Sequence, residues 1–255
     1  MAKSTTTRTV SRAMLAGKIE VVFQPIVDVH SGALIAYESL ARTTQYEGPV
    51  ELFDAAVVQR QTGRLGRHLR ALATGACPHH PLFLNVHPTE LSEPWLVQPD
   101  DPLFMHAPGV YLEITESVPF SHHKLVHSVL RELRAKGIGI VVDDLGAGYS
   151  NLSYIADLEP QFVKVDRGLI SDLARDPRRQ KLLAGMVRLC SDLGARVVAE
   201  GVETLDELKA ARDAGVQYVQ GYFVARPAFP PPRPAVEAWS TSSRSAMRRR
   251  RSRSG

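Results

Sequence analysis

Two adjacent carboxylates, Asp143 and Asp144, stand at the end of a β-branched apolar run (138–142) and before a loop carrying Gly146 and Gly148. The run reads as a buried strand. Successive strand side chains face opposite ways, so both acids can serve one site only where the strand is ending and its backbone relaxes. Carboxylates packed ~3–4 Å apart repel unless a cation or a proton lies between them. That geometry suits a hard divalent metal with oxygen ligands, alone or as one of a pair. The same two acids would equally serve as a helix N-cap beside a solvated neighbour.

The surrounding sequence alternates strand and helix patterns. Strands are expected over 21–29 and 34–40, and the two-residue turn Ser31-Gly32 between them makes this pair antiparallel. Helical patterns follow at 50–61 and 65–74, then strands at 82–86 and 110–115. A helix over 121–136 carries one apolar face, Leu125, Val126, Val129, Leu130 and Leu133, and stops at Gly137. Strands at 161–166, 196–201 and 218–223 complete the series, separated by helices at 181–193 and 204–214. The last of these helices opens with a capping box, Thr204 and Glu207. The proline-rich run 230–234 leads to a short terminal helix around Trp239.

Eight strands, seven of them alternating with helices, give an α/β fold, a TIM-type (β/α)8 barrel with an irregular, antiparallel first strand. Catalytic residues in such barrels sit at the C-terminal ends of strands. Glu38, Asn85, Glu113, Asp143 with Asp144, Lys164, Glu200 and Gln220 interrupt seven of the strands, each at or near its end. One polar residue in a strand is usually outward and solvated. Seven at matching depth form a site.

Composition sets the outer limits. The 255 residues are 44% hydrophobic, enough for a sizeable core, and no apolar run approaches the ~20 residues of a membrane helix. The N-terminal residues lack a secretory apolar segment, so the expected location is cytoplasmic. Cys77 and Cys190 stand far apart without a CxxC pattern and read as reduced core residues. The net charge of +4 comes from the end of the chain, where Arg244, Arg248, Arg249, Arg250, Arg251 and Arg253 stand without an acid; the remainder sums to −2. Residues 1–14 are expected as an N-terminal extension, 15–240 as the barrel and 241–255 as a disordered Ser/Arg-rich basic tail. Such a tail either contacts an anionic surface weakly or only solubilises. Gly146-x-Gly148 opens like a dinucleotide fingerprint, but Asn151 holds the third glycine position. The adjacent pairs His79-His80 and His122-His123 point apart and make poor metal sites.

The motifs FQPIVD, ESLAR, LFLNVHP, LEITES, DDLGAGYS, VKVDRGLI, VVAEGVET and QGYFVARP occur in this order, covering roughly 24–227. In this the chain resembles the EAL-domain family, phosphodiesterases that linearise the bacterial second messenger cyclic di-GMP. Three positions depart from that pattern: Ser39 replaces the alanine of Glu-Ala-Leu, Leu145 a usual phenylalanine, and Ala147 a common threonine. The resemblance implies one or two divalent ions, Mg²⁺ or Mn²⁺, with Ca²⁺ inhibitory. It implies that Glu38, Asn85, Glu113 and Asp143 hold the first ion, and that Asp143, Asp144 and Glu200 hold the second. Glu200 is a ligand in a two-metal scheme and a general base in a one-metal scheme. By the same resemblance Lys164 orients the attacking water, Gln220 acts through a metal-bound water, Arg42 grips a substrate phosphate and Gln24 contacts guanine. The resemblance also implies that Glu116 anchors the loop 146–150 and that the protein is a homodimer. The expected reaction is hydrolysis of cyclic di-GMP to the linear dinucleotide pGpG. The alternatives are a non-hydrolysing receptor for the same ligand and a protein-binding regulator built on the same barrel.

Overall fold

Alternation along each strand decides which residues face the barrel axis, and the sequence places two kinds of residue there in sharp succession. The computed structural model describes residues 9–92, 94–115, 123–147, 153–235 and Trp239. Glu116, Gly148, Ser150 and the basic tail lie outside the described residues, as does the terminal helix apart from Trp239.

Eight strands close into a barrel in chain order. β1 (Ile19–Asp28) and β2 (Leu34–Thr43) form the expected antiparallel hairpin. β3 (Leu82–Asn85), β4 (Val110–Thr115), β5 (Gly139–Leu145), β6 (Phe162–Val165), β7 (Arg196–Ala199) and β8 (Tyr218–Val219) follow in parallel from β2. β1 also pairs antiparallel with β8 and closes the barrel. Helices α1 (Val10–Leu15), α2 (Pro49–Val58), α3 (Thr62–Ala76), α4 (His123–Ala135), α5 (Ser153–Leu158), α6 (Arg167–Ile170), α7 (Pro177–Asp192) and α8 (Leu205–Asp213) accompany them.

Each strand contributes one residue to an apolar layer inside the barrel: Ile26, Ala36, Phe83, Tyr111, Val141, Phe162, Val198 and Tyr218. Aromatic rings dominate it, with Phe83, Tyr111 and Phe162 at centroid separations of 4.9–5.2 Å. The Arg196 guanidinium lies 4.3 Å from the Phe162 ring centroid and donates to the Tyr218 hydroxyl at 3.1 Å. Gly139 makes room for this packing, since a Cβ there would lie 2.3 Å from the Tyr111 ring. Alternate residues of the same strands face outward into a larger core with the helices. There Val126, Val129, Leu130 and Leu133 of α4 are buried, as its apolar face predicts. Cys77 and Cys190 are free and buried, and burial pushes the Cys190 thiol up to about 11.

Several boundaries differ from the sequence expectations, each for a local reason. The hairpin connection is longer than the two-residue turn, because Asp28 Oδ1 accepts from the His30 and Ser31 backbone N–H groups and closes its own turn. α7 begins four residues before Lys181, with Pro177 at its first turn and Asp176 accepting from the N–H groups of Arg178 and Arg179. β8 is two residues long rather than six, and Gly221 beyond it packs so closely on Val202 that a Cβ would meet backbone at 2.1 Å. α1 packs on α2 and α3, with Val10 and Ala13 buried beside Leu52 and Ala56. α8 starts with the expected capping box.

Between β3 and β4 the described residues form 3-10 turns and no α-helix, and one buried cation holds this connection. Arg70 of α3, only 2% exposed, pairs with Glu90 and Asp101 at 2.8 Å each. Its Nε and Nη2 both donate to the Asp101 carboxylate. Removing one partner of such a cluster leaves buried charge uncompensated, at ~3–5 kcal/mol. Arg70→Met should therefore destabilise the chain by about that much in urea unfolding. A loss under ~1 kcal/mol would show that the two acids are neutralised some other way.

Candidate active site

Two residues beyond the apolar layer toward the C-terminal strand ends, every parallel strand or its immediate extension carries a polar residue. These are Glu38, Asn85, Glu113, Asp143, Lys164, Glu200 and Gln220. β1 runs the other way, so its counterpart precedes Ile26: Gln24 pairs in register with Glu38. All eight strands thus contribute to one polar layer.

Lys164 is its centre. The side chain is 1% exposed, and Nζ lies 2.6 Å from Glu113 Oε1, 2.6 Å from Glu200 Oε1, 3.1 Å from Asp143 Oδ1 and 3.4 Å from Glu38 Oε1. Burial would lower its pKa, but Asp143, Glu113, Glu200 and Glu38 together hold it well above the usual lysine value. Glu38 also accepts from Gln220 Nε2 and, at 3.3 Å, from Asn85 Nδ2. Burial acts to raise the Glu38 pKa, and the Lys164 charge with these hydrogen bonds brings it below the ordinary value.

The fifth acid joins through a backbone irregularity. Asp144 adopts a left-handed conformation, φ 60°, where the β5–β6 register shifts between Val142 and Leu145. The twist brings Asp144 to the same side as Asp143, and one ligand atom each from Asp143, Asp144 and Glu200 lies within 4.8 Å of the others. Adjacent strand residues could not meet in this way without it. Burial and the Asp143 charge raise the Asp144 carboxyl to about 6. Burial, followed by the charges of Asp143 and Glu38, raises Glu200 to about 8 against the opposing pull of Lys164. Glu113 is held well above the usual range by burial and by Glu38.

Five acids against one lysine leave excess negative charge, which suits cations. The donors are oxygen atoms, the chemistry of Mg²⁺, Mn²⁺ and Ca²⁺. Both Glu113 carboxylate oxygens and Gln220 Oε1 are buried without a hydrogen bond of acceptable geometry, and Lys164 meets Glu113 only as an ion pair. These orphaned acceptors fit a bound divalent ion.

Other expected site residues fall into place differently. Gln24 is 7% exposed and committed within the protein: Nε2 donates to Ala225 O at 3.0 Å and Oε1 accepts from Gln220 Nε2 at 3.0 Å. Arg42 stands at the rim, lining a side cavity of about 240 Å³ with Glu38 and Asn85, and donates to the neighbouring Ala41 O. A cavity of about 290 Å³ above the acids is also lined by Arg167, Gly201, Glu203 and Tyr222, none singled out from the sequence. All four lie within three residues of a strand end or its extension, the position a barrel reserves for function. A larger cleft of about 720 Å³ lies between α7 and α8 and holds none of the polar-layer residues.

Known proteins resemble this chain in both sequence and fold. The EAL domain family matches residues 7–227. A cyclic di-GMP phosphodiesterase of Pseudomonas aeruginosa is 33% identical over 224 residues, covering 82% of this chain and 38% of that protein. The chain likewise spans 30% of an uncharacterised Azorhizobium caulinodans protein, 31% identical to it. Among solved structures, the calcium and cyclic di-GMP complex of Klebsiella pneumoniae BlrP1 aligns with a TM-score of 0.74 at 31% identity, over 83% of this chain and 56% of that one. An EAL domain protein of Listeria monocytogenes aligns with a TM-score of 0.77 at 26% identity, over 89% of this chain and 95% of that one.

The raised carboxyls fix a pH dependence. In protein stripped of divalent ions, Asp144 holds a proton up to about pH 6 and Glu200 up to about pH 8, and both release it on unfolding. The folded state then binds more protons than the unfolded state between roughly pH 4 and 8, so stability falls as pH rises through that window. Thermal melts in EDTA should show a lower midpoint at pH 8 than at pH 5.5, and Mn²⁺ should restore most of the difference. A midpoint that rises with pH in EDTA would contradict the crowding of these acids.

Proposed function

The chain belongs to the EAL domain family, and on that footing we propose that it is a metal-dependent phosphodiesterase converting cyclic di-GMP to the linear dinucleotide pGpG. The observation that carries the reading is a buried lysine within reach of four carboxylates from four strands or their extensions, with a fifth acid turned toward them. Hydrolysis adds water across one phosphodiester: the water oxygen bonds to phosphorus, and the ribose 3′ oxygen leaves and takes up a proton.

Glu38, Asn85, Glu113 and Asp143 would hold one cation, and Asp143, Asp144 and Glu200 a second. Bound there, Mg²⁺ or Mn²⁺ supplies Lewis-acid polarisation of the phosphate and lowers the pKa of water. Lys164 donates toward the attacking oxygen and offsets the charge developing on phosphate. With a single cation bound, Glu200 would instead serve as the general base that takes the water's proton. Arg42 at the rim offers a guanidinium to a phosphate oxygen. Gln24, with both amide ends engaged inside the barrel, supports Gln220 and the 220–225 backbone. Its proposed guanine contact would need one of these bonds shared.

A homodimer belongs to the same proposal. Leu182 and Leu189 of α7 and Leu193 at its C-cap are exposed, with the half-buried Met186 between them, at alternating spacings of four and three residues. This is the seam of a helix pair. Arg178 and Lys181 at its start and Asp192 at its end would meet in an antiparallel pairing of two copies. Sedimentation should show a dimer that Leu189→Glu converts to monomer; an unchanged dimer would move the interface elsewhere.

Lys164 separates an enzyme from a receptor. An interaction made mainly in the transition state lowers turnover far more than ground-state affinity. Lys164→Ala should bind cyclic di-GMP in Ca²⁺ by calorimetry and hydrolyse it at least ~100-fold more slowly in Mn²⁺. Turnover at the parental rate would remove Lys164 from the chemistry. A parent protein that binds yet yields no linear product in Mg²⁺ or Mn²⁺ would favour the receptor.

A further inference from the structure

Tyr222 lines the cavity above the acids with Lys164, Glu200 and Gln220, yet its side chain is 48% exposed. The backbone beneath it is fixed. Gln220 N donates to Ala199 O at 2.9 Å, Phe223 N to Val202 O at 3.0 Å, and Gln24 Nε2 to Ala225 O at 3.0 Å. Val224 between these bonds is 1% exposed. The aromatic side chain therefore projects from a rigid strap beside the acids.

Arg226 covers one face of that ring. Its guanidinium carbon sits 4.2 Å from the Tyr222 centroid. Arg226 is exposed and forms no ion pair among the described residues, so the ring is its partner. A guanidinium so placed holds the ring in one orientation before any ligand arrives. With Arg226 over one face, the 48% exposure of Tyr222 leaves ring surface free for a ligand.

The polar layer can take up a phosphate through cations, but its eight residues offer no flat apolar surface. A cyclic dinucleotide carries two purines that must lie off the acids while one phosphodiester rests on them. We propose that Tyr222, backed by Arg226, is a stacking platform for one purine base of the substrate, an assignment that rests on the phosphodiesterase reading above. Bases stack on aromatic side chains with little regard to identity, so the platform supplies affinity rather than choice of guanine. Pre-ordering of the ring by Arg226 reduces the entropy lost on binding.

The test is steady-state hydrolysis of cyclic di-GMP in Mn²⁺ by the parent protein and by Tyr222→Ala, Tyr222→Phe and Arg226→Ala, with calorimetric binding in Ca²⁺ beside it. Tyr222→Ala should raise KM about 10- to 100-fold. Its kcat should stay within ~3-fold of the parent, because the base is held equally in ground and transition states. Tyr222→Phe should keep the parental KM, and Arg226→Ala should raise it about 2- to 5-fold. An unchanged KM in Tyr222→Ala, with an active parent, overturns the platform and leaves the phosphodiesterase reading standing. A parent that binds without cutting sinks the catalytic reading, while lost affinity in Tyr222→Ala still supports the platform. A parent that neither binds nor cuts overturns both.

Discussion

One ammonium group buried among four carboxylates, with a fifth acid alongside, is the constraint the rest of the molecule answers to. A lysine 1% exposed would normally lose its proton, and closely packed acids would normally gain them. Here each sign sustains the other. Lys164 stays charged because the acids surround it, and Glu38 stays ionised because Lys164 and two amides face it. The balance is incomplete, and Glu113, Asp144 and Glu200 carry the strain as raised pKa values. A divalent cation relieves this imbalance in the way a proton does, with the further ability to hold a phosphate.

Such a cluster needs a floor that neither moves nor admits water. Interleaved rings of Phe83, Tyr111, Phe162 and Tyr218 supply it, capped below by Arg196. Close-packed interiors deform little, so the spacing of the acids above is inherited from the rings below. The outer core performs the same service for the strands. The Arg70 cluster does so for the β3–β4 crossover, where the described residues form no α-helix.

Much of this was legible in the sequence because strand periodicity is strict. A polar residue two places after an inward apolar one must also face inward, and Phe83–Asn85, Phe162–Lys164 and Val198–Glu200 all follow that rule. The adjacent aspartates announced a relaxed backbone, which is the left-handed Asp144. Gln24 was hidden as a member of the layer, since β1 runs backwards and its inward polar residue falls mid-strand. Arg70 resembled any arginine of a helix, for its acids lie 20 and 31 residues away in irregular turns. Tyr222 lay inside what read as a continuing strand, and only the close approach of Gly221 to Val202 ends that strand early. These are contacts between distant segments, which local pattern does not encode.

The reversed first strand also orders events in time. β1 pairs with β2 early, since their hairpin is local, but its other edge waits for β8, nearly the whole barrel later. The bonds that seal the seam span Gln24 to Gln220, Gln24 to Ala225 and Tyr37 to Pro232, separations of 195 to 201 residues. Contacts of that reach form slowly, because the intervening chain must first be gathered in. As the chain emerges from the ribosome, the carboxylates of β2, β4 and β5 exist before the lysine of β6 that neutralises them. Gln220, whose amide bonds both Glu38 and Gln24 across the seam, comes last. The acid–lysine cluster and the barrel seam are therefore completed by the same final event, and an incompletely folded chain holds neither.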